Sequence, residues 1–189
     1  MRVIAGTAKR LHLKTISGLE TRPTTDRIKE TLFNMIQSEL YDCHFLDLFS
    51  GSGGIGIEAL SRGAKKCVFI ENNQNAVKCI EENLKFTNLT EKAQIIGRDV
   101  LSGIHLLEGQ EPFHFIFMDP PYEQGVEKKV LEKLISSTIL DKDTLIIIEA
   151  ALSTDFEYLS DMGYYVVKRK EYRTNVHMFI KRIEGEIYD

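Results

Sequence analysis

The sequence predicts a doubly wound α/β fold: a mostly parallel, seven-stranded sheet with helices on both faces, preceded by a short N-terminal β-hairpin extension. Three observations lead there. From residue 44 onward, short apolar segments alternate with amphipathic ones. A glycine-rich turn follows the first apolar segment directly. The last two apolar segments, 164–169 and 176–181, follow each other with only Glu171 to Asn175 between them, which predicts a closing antiparallel hairpin. Apolar strands separated by amphipathic helices are the pattern of a parallel sheet covered on both sides.

In order, residues 1–16 alternate in places. Leu11 and Leu13 face one way and His12 and Lys14 the other, with Gly6 nearby, which suggests paired short strands. Arg22-Pro23-Thr24-Thr25-Asp26 suits a helix start, with Thr25 or Asp26 as the N-cap. Ile28, Leu32, Met35 and Ile36 then recur at helical spacing. Strands are expected at 44–49, 66–71, 93–97, 113–118 and 144–149, with helices at 54–62, 73–87, 126–136 and 153–162. The domain division expected is a basic extension over 1–22 and one body over 23–189.

With 189 residues, 43% hydrophobic and 28% charged, the chain can build a core without staples. Cys43, Cys67 and Cys79 form no C-x-x-C pair, and no signal-peptide core or membrane-length apolar run is present. A reduced, cytoplasmic protein is expected, a monomer without an obligate protein partner and without a membrane span. The net charge is −4, yet residues 1–29 carry seven Lys/Arg against two acids, about +5, leaving about −9 on the rest. Such an arm is either an electrostatic footprint for RNA or a solvated surface hairpin.

The first strand runs into Asp47-Leu48-Phe49-Ser50-Gly51-Ser52-Gly53-Gly54-Ile55-Gly56. Gly51, Gly53 and Gly56 match G-x-G-x-x-G between a strand and a helix, a dinucleotide-type loop that alone is weak. Asp47 inside an apolar strand needs a compensating partner. Glu71 closes the second strand twenty residues after Gly51, where an acid accepts from ribose hydroxyls or caps the next helix. Asp99 follows the third strand and is either an adenine contact or a plain turn aspartate.

The fourth strand, Phe115-Ile116-Phe117-Met118, leads straight into Asp119-Pro120-Pro121-Tyr122. Two successive prolines stiffen an extended loop at the sheet's carboxyl edge. A carboxylate and the Pro120 carbonyl can both accept from an –NH₂ group, and Tyr122 offers a face for stacking a base. An aromatic amine is a poor nucleophile because its lone pair is delocalised. Two acceptors holding its hydrogens favour a pyramidal nitrogen aimed at a methyl donor.

These residues resemble class I methyltransferases. Arg22-Pro-Thr-Thr-Asp-Arg27, Glu30-Thr-Leu-Phe-Asn34, Leu46-Asp-Leu-Phe-Ser-Gly-Ser-Gly53, Gly56-Ile-Glu-Ala-Leu-Ser-Arg-Gly63 and Asp119-Pro-Pro-Tyr122 are similar to the RsmD type, spanning residues 1 to about 125 in motif order. That resemblance implies a bacterial 16S rRNA guanine-N2 methyltransferase using S-adenosyl-L-methionine and releasing S-adenosyl-L-homocysteine. It implies cofactor contacts from Asp47, Ser50, Gly51, Gly53, Gly56, Glu71, Asn72, Asp99 and Val100, with Thr24 and Thr25 nearby. Asp119, Pro120, Pro121 and Tyr122 would hold the guanine. Arg2, Lys9, Arg10, Lys14, Arg22 and Arg27 would contact 16S rRNA or an assembling small subunit.

The tetrapeptide serves adenine N6 in DNA or RNA as readily as guanine. A nicotinamide-dependent oxidoreductase would explain the glycine loop and Glu71 but leaves the tetrapeptide idle, and a non-catalytic RNA-binding module would need no cofactor acids. His12, His44, His105, His114 and His177 show no ligand spacing, so no metal is expected. His114 and His177 read as partly exposed sheet positions. Lys168-Arg169-Lys170 and Arg173 read as solvated surface or an addition to an RNA face.

Overall fold

A computed structural model describes residues 1–16, 25–121 and 124–184. Arg22, Thr24 and Tyr122, each expected to serve the site, lie outside the described residues. Twelve principal elements follow in order: α1 (Asp26–Ile36), β1 (His44–Leu48), α2 (Gly54–Ser61), β2 (Lys66–Ile70), α3 (Gln74–Thr87), β3 (Ala93–Ile96), α4 (Val100–Leu106), β4 (Phe115–Met118), α5 (Val126–Leu134), β5 (Leu145–Ala151), β6 (Tyr164–Glu171) and β7 (Asn175–Arg182).

The strands form one sheet in the order β3-β2-β1-β4-β5-β7-β6. All pairs are parallel except β5 with β7 and β6 with β7, which are antiparallel. The predicted doubly wound sheet and its terminal hairpin are therefore present. Strand order reverses between β1 and β4, which opens a crevice at their carboxyl ends, the place where such sheets hold ligands.

Alternation along each strand makes two cores. Leu46, Leu48, Val68, Ile70, Ile116, Met118, Ile146 and Ile148 pack on one face with Val100 and Ile104 of α4 and Val130, Leu131 and Leu134 of α5. Phe45, Cys67, Phe69, Phe115, Phe117, Ile147 and Phe179 pack on the other with Leu32, Phe33 and Ile36 of α1. Val3, Ala8 and Leu13 join this second core, so the N-terminal segment is docked on the body.

Three details differ from expectation. Residues 1–16 form a single antiparallel bridge, Arg2 to His12, rather than strands. Helix α4 has the apolar spacing Val100, Ile104, Leu107 but is only seven residues long and centred on Gly103. That glycine lets the helix approach β2, because a Cβ there would sit 2.7 Å from Ile70 Cγ2. The helix expected at 153–162 is one 3-10 turn, Glu157–Leu159. Phe156 and Leu159 bury the apolar positions in that turn, and Gly163 at φ 81° ends it. Among the described residues, no helix is long and apolar enough to cross a membrane.

Candidate active site

The glycine loop leaves β1 by a left-handed backbone: Phe49 at φ 60°, Gly51 at φ 54° and Gly53 at φ 79°. A left-handed phenylalanine is costly and survives only where its surroundings hold it, which happens mostly at functional sites. Two acids hold this loop. Asp47 Oδ2 accepts from the Gly56 amide at 2.9 Å. Glu71 accepts from the Gly51 amide through Oε2 and from the Asn73 amide through Oε1, each at 2.8 Å. Ser50 Oγ donates to the Asp47 carbonyl at 2.6 Å.

Beneath the loop lies a cleft of about 320 Å³, lined among others by Asp47, Ser50, Gly51, Asn72, Asp119 and Pro121. A neighbouring cavity of about 220 Å³ is lined by Ile70, Asp99, Val100, Leu101 and Val130. Phe49, Glu71 and Asn72 line both, so the two spaces meet at Glu71. The combined shape suits an elongated ligand with a charged end, a polar middle and a flat apolar end. Asp47 is buried with one neutral donor, and burial pushes its carboxyl up to about 7, with Glu71 adding repulsion. Such a buried carboxyl favours a cationic partner.

Asp119 follows β4 at the mouth of this cleft. Its carboxyl is raised well above the usual carboxylate range, first by burial and then by the charges of Glu149 and Asp47. Glu149, one residue past the Met118–Ile148 pair of β4 and β5, is itself clamped. It accepts from Asn175 Nδ2 at 2.7 Å and pairs with His177 Nε2 at 3.1 Å. His177 Nδ1 lies 3.3 Å from the Tyr172 hydroxyl. His177 is fully buried, so the expectation of a partly exposed sheet histidine is corrected: the antiparallel pairing of β7 with β5 sets it opposite Glu149.

Comparison with known proteins decides the family. Residues 1–181 match the family described as Conserved hypothetical protein 95. A Haemophilus influenzae relative named Ribosomal RNA small subunit methyltransferase D is 33% identical over 150 residues, 79% of this chain and 78% of the relative. A Bacillus subtilis protein, YlbH, provisionally named an rRNA methyltransferase, is 40% identical over 172 residues, 90% of this chain and 92% of its own. The chain belongs to the RsmD-type methyltransferase family. The solved structure of the Escherichia coli protein yhhF, provisionally described as a methyltransferase, superposes with a TM-score of 0.85 at 27% identity, covering 98% of this chain and 99% of that one.

Within this RsmD-type site the expected residues divide. Asp47, Ser50, Gly51, Glu71, Asn72, Asp99, Val100, Asp119 and Pro121 line the two cavities. Pro120 is buried behind them. Gly53 and Gly56 are not brought to the cleft. Gly53 starts α2 in a left-handed conformation, and Gly56 is a packing glycine whose added Cβ would lie 2.3 Å from the Phe69 ring. Thr25 caps α1, its hydroxyl accepting from the Ile28 amide, instead of lining the cleft. Asp99 lines the second cavity and also caps α4, accepting from the Ser102 amide at 3.0 Å. Sequence reasoning passed over Phe49, Glu149, Asn175 and His177. Glu149 carries the same signal as Asp47, an acid inside an apolar strand.

A pH prediction follows from Asp47. Unfolded, it releases its proton near its ordinary value of 3.8; folded, only near 7. Its contribution to stability therefore falls as pH rises from about 4 to about 7, by at most about 4 kcal/mol. Asp47→Asn keeps an acceptor for the Gly56 amide. It should flatten this decline and raise the ligand-free melting temperature at pH 8, while weakening cofactor affinity. A variant melting with the wild-type pH profile would contradict the assignment.

Proposed function

We propose that this chain transfers a methyl group from S-adenosylmethionine to the exocyclic N2 amino group of a guanine in small-subunit rRNA. One observation carries the reading: the glycine loop with Asp47 and the Asp119–Pro121 strand exit line a single cleft. The names of the relatives support rRNA as the substrate class.

The residues fit the cofactor. Asp47, Ser50 and Gly51 would hold its amino-acid end, Glu71 and Asn72 the ribose, and Asp99 with Val100 the adenine. Bound S-adenosylmethionine supplies a methyl group on a sulfonium centre. Asp119 and the Pro120 carbonyl would accept from the guanine amine and orient its lone pair, and Tyr122, outside the described residues, would be the residue to stack on the base. The Asp119 carboxylate would be an acceptor for the proton that the nitrogen sheds after attack. Lys9, Arg10 and Arg27 are exposed and have no ion pair among the described residues, so they remain available to RNA. Arg2 and Lys14 are engaged with Asp26 and Glu82 at 2.9 Å and 2.7 Å.

The test is transfer of labelled methyl to small ribosomal subunits followed by nucleoside analysis. N2-methylguanosine is expected. N6-methyladenosine would keep fold and cofactor but overturn the substrate, and label confined to protein would overturn the nucleic-acid reading.

A further inference from the structure

The β6–β7 hairpin carries a second cluster of positive charge, apart from the basic first 29 residues. Between Tyr164 and Arg182 stand Lys168, Arg169, Lys170, Arg173, Lys181 and Arg182, opposed only by Glu171, in a protein of net charge −4. Arg169 is engaged with Glu171 at 2.8 Å. Lys168 and Arg173 are exposed, and the Lys170 ammonium lies 5.9 Å over the Tyr172 ring. None of these three has an ion-pair partner among the described residues.

Their position matters as much as their sign. β7 sets Asn175 opposite Ala151 and His177 opposite Glu149, and β6 sets Lys170 opposite His177. The 168–175 end of the hairpin therefore lies at the carboxyl edge of the sheet, where the Asp119 cleft opens. Strands β4, β5, β7 and β6 are successive neighbours, which puts β6 roughly 14 Å from the strand bearing Asp119. Lys181 and Arg182 pair with Tyr165 and Tyr164 at the opposite edge and are not part of this group.

β6 is an edge strand, and Tyr165, Val166 and Val167 beside the cations are 47%, 46% and 50% exposed. The register shifts between Val166 and Lys168, a bulge of the kind that twists an edge away from pairing. Lysines on an edge strand also guard against aggregation. That role does not explain Arg173, which stands in the turn beyond the strand with no ladder to protect. A second copy pairing edge to edge would set these cations against each other. A polyanion suits the patch better.

We propose that Lys168, Lys170 and Arg173 form a phosphate-binding surface for the RNA that flanks the target base. The inference rests on the reading of RNA as substrate. It adds a second contact region, separate from the N-terminal arm that docks on Ser61.

The test compares the full chain with a Lys168→Ala, Lys170→Ala, Arg173→Ala variant, titrating a fluorescently labelled rRNA stem-loop transcript over a range of salt. The variant is expected to bind at least tenfold more weakly at low salt, its log–log salt slope smaller by about 2. Melting temperature and cofactor affinity should stay unchanged, and a Lys168→Arg, Lys170→Arg variant should bind like wild type. Wild-type binding with an unaltered slope in the alanine variant overturns this surface and leaves the RNA reading intact. Absence of RNA binding by the wild type overturns both. A concentration-dependent dimer, seen by sedimentation in the wild type and lost in the alanine variant, would make the patch an interface between copies and overturn the proposal.

Discussion

Asp119→Ala should lower the methyl-transfer rate by at least about a hundredfold while leaving S-adenosylmethionine affinity near that of the wild type. The separation follows from geometry. Asp119 stands at the cleft mouth beyond β4, whereas the acids that hold the glycine loop, Asp47 and Glu71, come from β1 and β2. Removing the Asp119 carboxylate deletes an acceptor for the target amine and a destination for its proton. It also removes a carboxyl whose charged form is disfavoured by burial and by the charges of Glu149 and Asp47, so the variant should be no less stable than the wild type. Rate and binding are read by single-turnover transfer and by calorimetry. A variant that loses cofactor affinity in step with rate would move Asp119 into the cofactor site.

Glu58→Ala should destabilise the fold by about 3–5 kcal/mol, lowering the melting temperature by roughly 10 °C. Glu58 is fully buried in α2, and its carboxylate serves four donors. The amides of Ile4 and Ala5 donate at 2.8 Å and 3.1 Å, Arg62 Nε at 2.8 Å, and the Lys29 ammonium lies at 3.3 Å. Lys29 is fully buried too, and burial already lowers its affinity for a proton despite the Glu58 charge. Alanine at 58 would leave that lysine without a counter-charge and two amides without acceptors. Denaturant unfolding of the variant, with the double variant Glu58→Leu, Lys29→Met beside it, checks the cause. The pair should recover part of the loss but not all, because the Ile4 and Ala5 amides remain unpaired. Equal stability of Glu58→Ala and wild type would rule out the clasp.

Legibility in the sequence followed the range of the interactions. The central strands are buried on both faces and therefore show as apolar runs, so the parallel sheet and its closing hairpin could be read directly. Helix α4 was missed because Gly103, needed for contact with Ile70, looks like a helix breaker. At the site, Asp47 stood out as a charge inside an apolar strand, and Glu71 and Asp119 as charges directly after one. His177 did not, since its environment is created by a partner 28 residues away across the β5–β7 ladder. How the arm docks on the body was not legible for a similar reason. Its cations are conspicuous, while the groups that dock it are backbone amides reaching Glu58 and Ser61 more than fifty residues on.

Helix α2 is buried along all eight of its residues. Its first turn anchors the loop beneath which the cofactor would sit, and its last grips the arm: the Ser61 hydroxyl accepts from Ala8 and donates to Ala5. Gly6 lies so close to the Ser61 carbonyl that no side chain could separate them. The helix thus has the cleft at its front and the arm at its rear. Tension placed on the arm by a docked macromolecule would be borne by the same helix that shapes the loop. The loop and the arm are fastened to opposite ends of one buried helix.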